Sequence, residues 1–542
     1  MSLILILKPQ GAKREDMKKQ KLNRLLGSSA VACLCLALLL VLALSGRLVA
    51  ASDGSISGVV TDDAGKPLRG ASVIVNIDNM SVARYTDAVG RYQITGLKPG
   101  KYKISATSWG YGSKTAEKDI SGSTTDVTFS LKPNWNPLQI STAEYISAFG
   151  DEKEMRHVEA TCTGCHNFSW IMRRRGQTAA EWEDFIPRMS PGDLFVTPAT
   201  YMTPQQLKEI SISLEKVFGP DSPLPTKDKV HHVEISDEAL NATFRYFTPP
   251  TRNYAHSVSV GADGKPWFTE FDNIANKVAT FDLSTQQFHE YEIPTAKAMP
   301  HNPWVARNGQ VWVTEAMANK LAVIDPETGK VTEFSAPVGA GTHTLREDSA
   351  GDIWASGSKK SLRFDPRTQK FDTYDIAGYD LAVDSHNNGW STNGPKGTID
   401  RVDPKTGLIK RYPVPGATFM RGIEVDAQDN VWFGDVLGHR LGKLDPKTGE
   451  MTFYHPPTPN FSPYGIIVEK KTGRLWLADY LGANVTRFDP ATGKFTEFPF
   501  PSRMQMIRFF AEDPQGRVWF TDFTNGKIGV LETGESAMSS QR

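Results

Sequence analysis

Apolar and polar residues alternate with period two through residues 54–132, as in Ser55-Ile56-Ser57-Gly58-Val59-Val60 and Ala71-Ser72-Val73-Ile74-Val75. That alternation predicts strands with one buried face. Gly65, Gly70, Gly90, Gly96, Gly100 and Gly110 punctuate them as turns. Between 140 and 219 the period changes to a helical one. Leu207, Ile210, Leu214 and Val217 share one face of a helix that Thr203-Pro204-Gln205-Gln206 caps and Gly219-Pro220 ends. Thr178-Ala179-Ala180-Glu181 is a capping box that starts another helix. A polar, proline-containing linker follows at 221–241.

From residue 242 to 534 the strand pattern returns as a repeat. Tryptophans recur at Trp267, Trp312, Trp354, Trp390, Trp432, Trp476 and Trp519, and Asp-Pro turns follow at Asp325-Pro326, Asp403-Pro404, Asp445-Pro446 and Asp489-Pro490. Four short strands per unit is one propeller blade, and seven units predict a seven-bladed β-propeller. The seventh unit ends near Gly534 without an outer strand, while Ala242–Pro249 reads as an outer strand ahead of the first unit. The N-terminal strand is therefore expected to complete the last blade and remove an open edge. Residues 535–542 form a tail. The fold class is multidomain and mainly β: a β-sandwich, a small all-α domain and the propeller.

Composition narrows the function classes. The 542 residues carry 61 basic and 61 acidic side chains, so nothing in the charge favours nucleic acid as a partner. Residues 1–51 read as a signal peptide, with a basic stretch (Lys18, Lys19, Lys21, Arg24), an apolar run from Ala30 to Leu44 and small residues at Val49-Ala50-Ala51. Met17 gives a more typical start than Met1. A periplasmic or secreted protein is expected, with no stable membrane span once the signal is cleaved; the alternative is an uncleaved N-terminal anchor. Cys33 and Cys35 fall inside the apolar run.

Cys162-Thr163-Gly164-Cys165-His166 carries the chemistry. C-x-x-C-H is the attachment signature of a c-type haem. Its two thiols add to the haem vinyl groups, and the histidine follows as an iron ligand. A zinc site needs two further ligands, and only His157 is near. One covalent haem c is expected, held by Cys162 and Cys165, with His166 as proximal ligand. Export agrees with that cofactor. The order C-x-x-C-H, Trp182, Arg188-Met189 and a final helix ending in Phe218-Gly219 resembles class I-like cytochrome c domains, which implies an electron-transfer role and a redox partner protein. Met189 is the expected distal ligand, with Met202 as the alternative. A methionine there raises the potential. Arg173-Arg174-Arg175 faces either the haem propionates, an acidic partner or solvent.

Two further resemblances cover most of the remaining chain. Gly58, Gly65, Gly70-Ala71, Thr86-Asp87, Gly90-Arg91-Tyr92, Gly96-Leu97, Pro99-Gly100 and Tyr102 make 54–132 similar to the carboxypeptidase regulatory-like domain, sometimes with a carbohydrate-binding-like fold, which implies a spacer or adhesive module. Trp-Phe-Thr-Glu, Asn-Lys and Asp-Pro make the repeats resemble streptogramin lyase (virginiamycin B lyase-like) propellers. If the first two strands of each blade pair simply, His256 faces Glu270, His301 faces Glu315, and His343, Tyr379, Arg421, Tyr464 and Arg508 occupy the same position in the other blades. This ring is expected at one mouth of the central channel, where a small-molecule ligand would bind. The lyase resemblance implies His301 or His343 as a base and Glu270 or Glu315 at Mg2+ or another divalent ion. Three functions stay open: haem electron transfer, a metal-dependent lyase acting by proton abstraction, and a non-catalytic binding or adhesion protein.

Overall fold

The computed structural model describes residues 53–149, 152–163, 167–189, 202–251, 254–271, 275–337, 341–417, 419–503 and 505–534. The expected signal segment, Cys165, His166 and the tail lie outside them. Among the described residues no helix is long and apolar enough to cross a membrane.

Residues 54–131 form eight strands: β1 (Gly54–Asp62), β2 (Ser72–Ile77), β3 (Met80–Tyr85), β4 (Arg91–Leu97), β5 (Gly100–Thr107), β6 (Lys114–Ile120), β7 (Thr124–Asp126) and β8 (Phe129–Leu131). One sheet runs β4-β1-β7 with β8 also on β1, and the other runs β6-β5-β2-β3. Ile56, Val73, Val75, Ile94 and Ile104 fill the space between them.

Six antiparallel four-stranded sheets follow in chain order, and a seventh is shared. Its inner strands are Ile507–Glu512, Val518–Asp522 and Lys527–Glu532, and its outer strand is β9 (Thr243–Phe247). The chain's first propeller strand thus completes its last blade. The sandwich is not a hanging spacer, however. β3 pairs with the other edge of β9, from Met80 opposite Phe247 to Arg84 opposite Thr243. The result is one eight-stranded sheet running from the channel wall to β6. An outer blade strand has a row of unpaired backbone groups, and β3 satisfies them.

The recurring tryptophans have a specific task. In four blades the indole N–H donates to an aspartate six residues earlier: Trp354 to Asp348 at 3.2 Å, and Trp390 to Asp384, Trp432 to Asp426 and Trp519 to Asp513 at 2.9 Å. The same carboxylates bond backbone N–H groups of the hairpin turn, so each tryptophan locks its turn to the blade. Near the axis the inner strands almost touch. A Cβ on Gly465 would lie 2.3 Å from the Arg508 carbonyl oxygen of the next blade. Backbone cannot step aside, so Gly465→Ala should lower stability by about 2–3 kcal/mol, read as a fall in denaturant midpoint at constant slope.

The helical unit comprises α1 (Thr142–Ser147), α2 (Lys153–Cys162), α3 (Phe168–Met172), α4 (Ala179–Phe185) and α5 (Pro204–Phe218), with α6 (Asp237–Leu240) in the linker. Capping boxes form at Ser141, Thr178 and Thr203. α2 and α4 both pack on α5. His157 of α2 bonds Ser213 of α5 at 2.9 Å, so it is engaged between helices. One apolar cluster runs from Trp182, Ile210 and Phe218 into Tyr464, Tyr480 and Phe509 of the propeller. The unit therefore sits on the propeller's channel face.

Candidate functional site

The ring forms, but not by the pairing expected. In the first blade Val258 pairs with Phe268, as simple hairpin counting requires, yet Ala255 rather than His256 pairs with Glu270. A β-bulge intervenes. Equivalent shifts occur in four other blades, where Pro300 pairs with Glu315, Met420 with Asp435, Pro463 with Asp479 and Ile507 with Asp522. A bulge adds a residue to one strand and re-aims its side chains. His256, His301, Arg421, Tyr464 and Arg508 each sit at that bulge.

Their side chains then meet one another at the axis. Imidazole centroids lie 4.1 Å apart for His256 and His301, and 3.7 Å apart for His301 and His343. The His343 ring is 4.1 Å from Tyr379, whose hydroxyl is hydrogen-bonded to that of Tyr464. Arg508 donates to His256 Nε2 at 3.0 Å and lies 4.2 Å from the Phe523 ring. Arg421 is held between Phe419 at 3.5 Å and Tyr379 at 4.1 Å. His256, His301, Tyr464 and Arg508 are buried; His343, Tyr379 and Arg421 keep some exposure. The ring is thus a packed plug that opens only along the arc of blades three to five.

Burial controls its protonation. It pushes His343 from 6.5 down to about 3, with Arg421 and Arg508 adding repulsion. Burial likewise lowers His256, helped by Arg508 and His343, and lowers His301, helped by His343 and His256. Tyr379 is raised by burial and by Tyr464. The ring is an uncharged row of imidazoles and phenols flanked by two guanidiniums.

The carboxylates lie along the blades instead. Glu270 pairs with Lys277, which holds Glu290 at 2.8 Å; Glu315 pairs with Lys320, which holds Glu333 at 2.8 Å. Asp435 binds Arg440 at 3.0 Å, and Asp522 accepts from Gln505 and Asn525. Burial, and then Glu333, raise Glu315 to about 8. Among the described residues no group of three or more His, Cys, Asp or Glu side chains is arranged to hold a metal ion. The expected His256–Glu270 and His301–Glu315 pairs are out of register by the bulge.

Sequence reasoning passed over the hydroxyls beside those acids. Thr521 donates to the His256 carbonyl at 2.7 Å, Thr269 to His301 at 2.9 Å, Thr314 to His343 at 2.7 Å, Ser356 to Tyr379 at 3.1 Å and Thr392 to Arg421 at 2.7 Å. Each hydroxyl lies on the preceding blade. The signal was the Thr or Ser two residues after five of the seven blade tryptophans. Gly434 and Ala478 replace it in blades five and six, where a Cβ on Gly434 would meet the Pro463 carbonyl at 2.1 Å.

Above the ring lies the start of the C-x-x-C-H segment. Cys162 ends α2, and the Tyr480 hydroxyl donates to the Thr163 carbonyl at 2.6 Å. Cys162, Met189 and Met202 are half-buried against the same apolar cluster as Trp182 and Phe185. The Trp182 indole N–H is buried with no acceptor among the described residues. Arg174 lies 3.7 Å from the Phe185 ring and Arg175 donates to the Ser222 carbonyl, so two of the three consecutive arginines serve the helical unit itself. Ala143 N donates to the Leu481 carbonyl at 3.0 Å and Asn460 to the Ala143 carbonyl at 3.2 Å, fixing the unit to blade six.

Residues 365–539 match the virginiamycin B lyase family, and residues 55–132 match the carboxypeptidase regulatory-like domain. The helices between them fall under neither match. Among solved structures, the chain is similar to a streptogramin B lyase at 26% identity and a TM-score of 0.51, over 55% of this chain and 100% of that one. It is also similar to a catalytically inactive virginiamycin B lyase from Staphylococcus aureus with quinupristin, at 23% identity and a TM-score of 0.49, over 54% of this chain and 99% of that one. No curated protein matches the chain. The propeller thus resembles those of streptogramin lyases, and the sandwich resembles the carboxypeptidase regulatory-like domain.

Proposed function

We propose that the protein is an exported monohaem electron-transfer protein whose haem unit is seated on the channel mouth of a lyase-like propeller. The C-x-x-C-H motif carries the reading. Cys162 and Cys165 would hold the haem, His166 would ligate iron, and Met189 or Met202 would supply the sixth ligand. The surroundings fit such a group. Met189 and Met202 pack against the same apolar cluster as Cys162 at the end of α2, and the unmatched Trp182 N–H suits a carboxylate such as a haem propionate. A bound haem would supply one-electron chemistry, and Cys162, Cys165 and His166 would fix its position.

Lyase chemistry at His301 or His343 is the rival reading, favoured by the family match over 365–539. The basicity of both imidazoles counts against it. An efficient general base has a pKa near the working pH, and His343 is held at about 3.

The test is a reduced-minus-oxidised spectrum of the full chain, expressed with export and haem maturation. c-type bands are expected, and Cys162→Ala should reduce covalent haem content by more than tenfold. A wild-type chain without added haem mass overturns the reading. Lyase activity that survives Cys162→Ala and disappears in His343→Ala would establish the rival.

A further inference from the structure

We infer that Tyr480, Tyr464 and Tyr379 form an electronic bridge from the haem site to the histidine row, so that a small oxidisable oxyanion bound on the open arc at His343, Tyr379 and Arg421 is a direct electron donor to the haem. This deepens the haem reading and rests on it.

The contacts are continuous. The Tyr480 hydroxyl bonds the Thr163 carbonyl, inside the haem-attachment motif, at 2.6 Å. Its ring stacks on Tyr464, with centroids 4.9 Å apart and planes at 21°. The Tyr464 hydroxyl bonds that of Tyr379, and the Tyr379 ring lies 4.1 Å from His343. Aromatic contacts at these separations are close packing, with no gap for water between the rings. Four of the seven blades contribute to the row of rings beyond Tyr464: His256, His301, His343 and Tyr379. A channel filled only for stability would need none of this polar aromatic chemistry; apolar side chains pack there at lower desolvation cost.

The open arc says what binds. Arg421 is fixed by two aromatic rings, and its Nε finds no partner among the described residues. Burial and the two guanidiniums keep His343 neutral. A positive, rigid, part-exposed guanidinium beside neutral aromatics suits a small phenolate or enediolate. The step balances simply. With haem bound, the oxyanion would give up one electron and become a neutral oxyl radical, the ferric haem would take up that electron, and no bond to the chain would form or break. The phenols of the bridge begin and end neutral and protonated.

The experiment is stopped-flow reduction of the oxidised full-length haem protein by ascorbate, an enediolate anion, set beside reduction by a small redox protein too large to enter the channel. Tyr464→Leu should slow ascorbate reduction at least tenfold and leave the protein donor's rate within twofold. Tyr464→Phe, which keeps the ring, should retain most of the rate. Arg421→Gln should raise the ascorbate concentration for half-maximal rate at least fivefold without changing the maximal rate. The haem potential, measured by spectroelectrochemistry, should be unchanged in all three, which separates coupling from tuning of the iron. Haem-loaded Tyr464→Leu reduced by ascorbate at the parent's rate overturns the bridge alone. A full chain that carries no haem overturns the bridge together with the haem reading.

Discussion

Between pH 6.5 and about 3, a His343→Gln variant should gain stability on the parent by about 1.4 kcal/mol for each pH unit of acidification. The folded parent holds His343 neutral because burial, Arg421 and Arg508 all oppose its protonation. The unfolded chain has no such constraint and takes up the proton near the ordinary value of 6.5. Below that pH the unfolded state binds more protons, so the histidine's contribution is full above 6.5 and drains away as pH falls toward about 3. Glutamine has no proton to take up, and the difference between the two proteins isolates one titration. That isolation matters because buried carboxylates run the other way. Asp479, raised by burial to about 7, and Glu315, at about 8, favour the folded state as acid protonates them. The wild-type curve alone therefore mixes opposing slopes. Denaturant midpoints for both proteins at pH 7, 6, 5 and 4 give the comparison. Parallel curves would mean that His343 is as easily protonated as a solvated histidine, which would restore it as a candidate general base.

The same residue illustrates what the chain's pattern reveals and what it conceals. Seven tryptophans, Asp-Pro turns and the spare strand at 242–249 make the propeller and its closure legible, because a blade's period is written into local turn chemistry. The ring positions are legible too: counting from the hairpin turns leads to His256, His301 and His343. Their partners are not. Counting assumes an unbroken ladder, and the bulge between Ala255 and Val258 breaks it one residue before it matters. What holds the bulge is the Thr269 hydroxyl on the blade's own second strand, which accepts from Ser257 N at 3.3 Å and donates to the His301 carbonyl of the next blade at 2.9 Å. Such a contact depends on two strands and a neighbouring sheet, so no local window displays it. Likewise the strands of the sandwich alternate visibly, but pairing of β3 with β9 joins residues more than 150 positions apart. Tyr480 is the clearest omission. In sequence it is one aromatic after Asp479 at the end of a blade strand, and its meaning appears only when Thr163 is found 2.6 Å from its hydroxyl.

Glu144 is where the three parts of the chain are tied together, and Glu144→Ala should cost about 3–5 kcal/mol. The carboxylate is buried at the start of α1. It accepts from Ser141 N at 2.7 Å as half of a capping box, from the linker's His232 at 2.8 Å, and from Arg503 of the propeller at 3.0 Å. Arg503 is itself enclosed, and it also reaches Tyr85 of the sandwich electrostatically. Burial opposes ionisation of Glu144, but Arg503, His232 and Ser141 outweigh it and bring the carboxyl down to about 2. Its contribution is therefore complete above the usual carboxylate value of 4.5 and fades as pH falls toward about 2. Alanine removes the acceptor and leaves the guanidinium buried without its counter-charge, which is the costly way to break such a pair. Glu144→Gln keeps a carbonyl oxygen for Ser141 and should cost less. The first unfolding transition in urea, followed by tryptophan fluorescence, measures both. Because α1 also carries the Ala143 contacts to Leu481 and Asn460, loss of Glu144 should loosen the helical unit on the channel mouth before the blades melt. Limited proteolysis should then cut first between 133 and 241 in the alanine variant. A variant within about 0.5 kcal/mol of the parent, cut no faster, would mean that seating depends on the Tyr480–Thr163 contact and the shared apolar cluster alone.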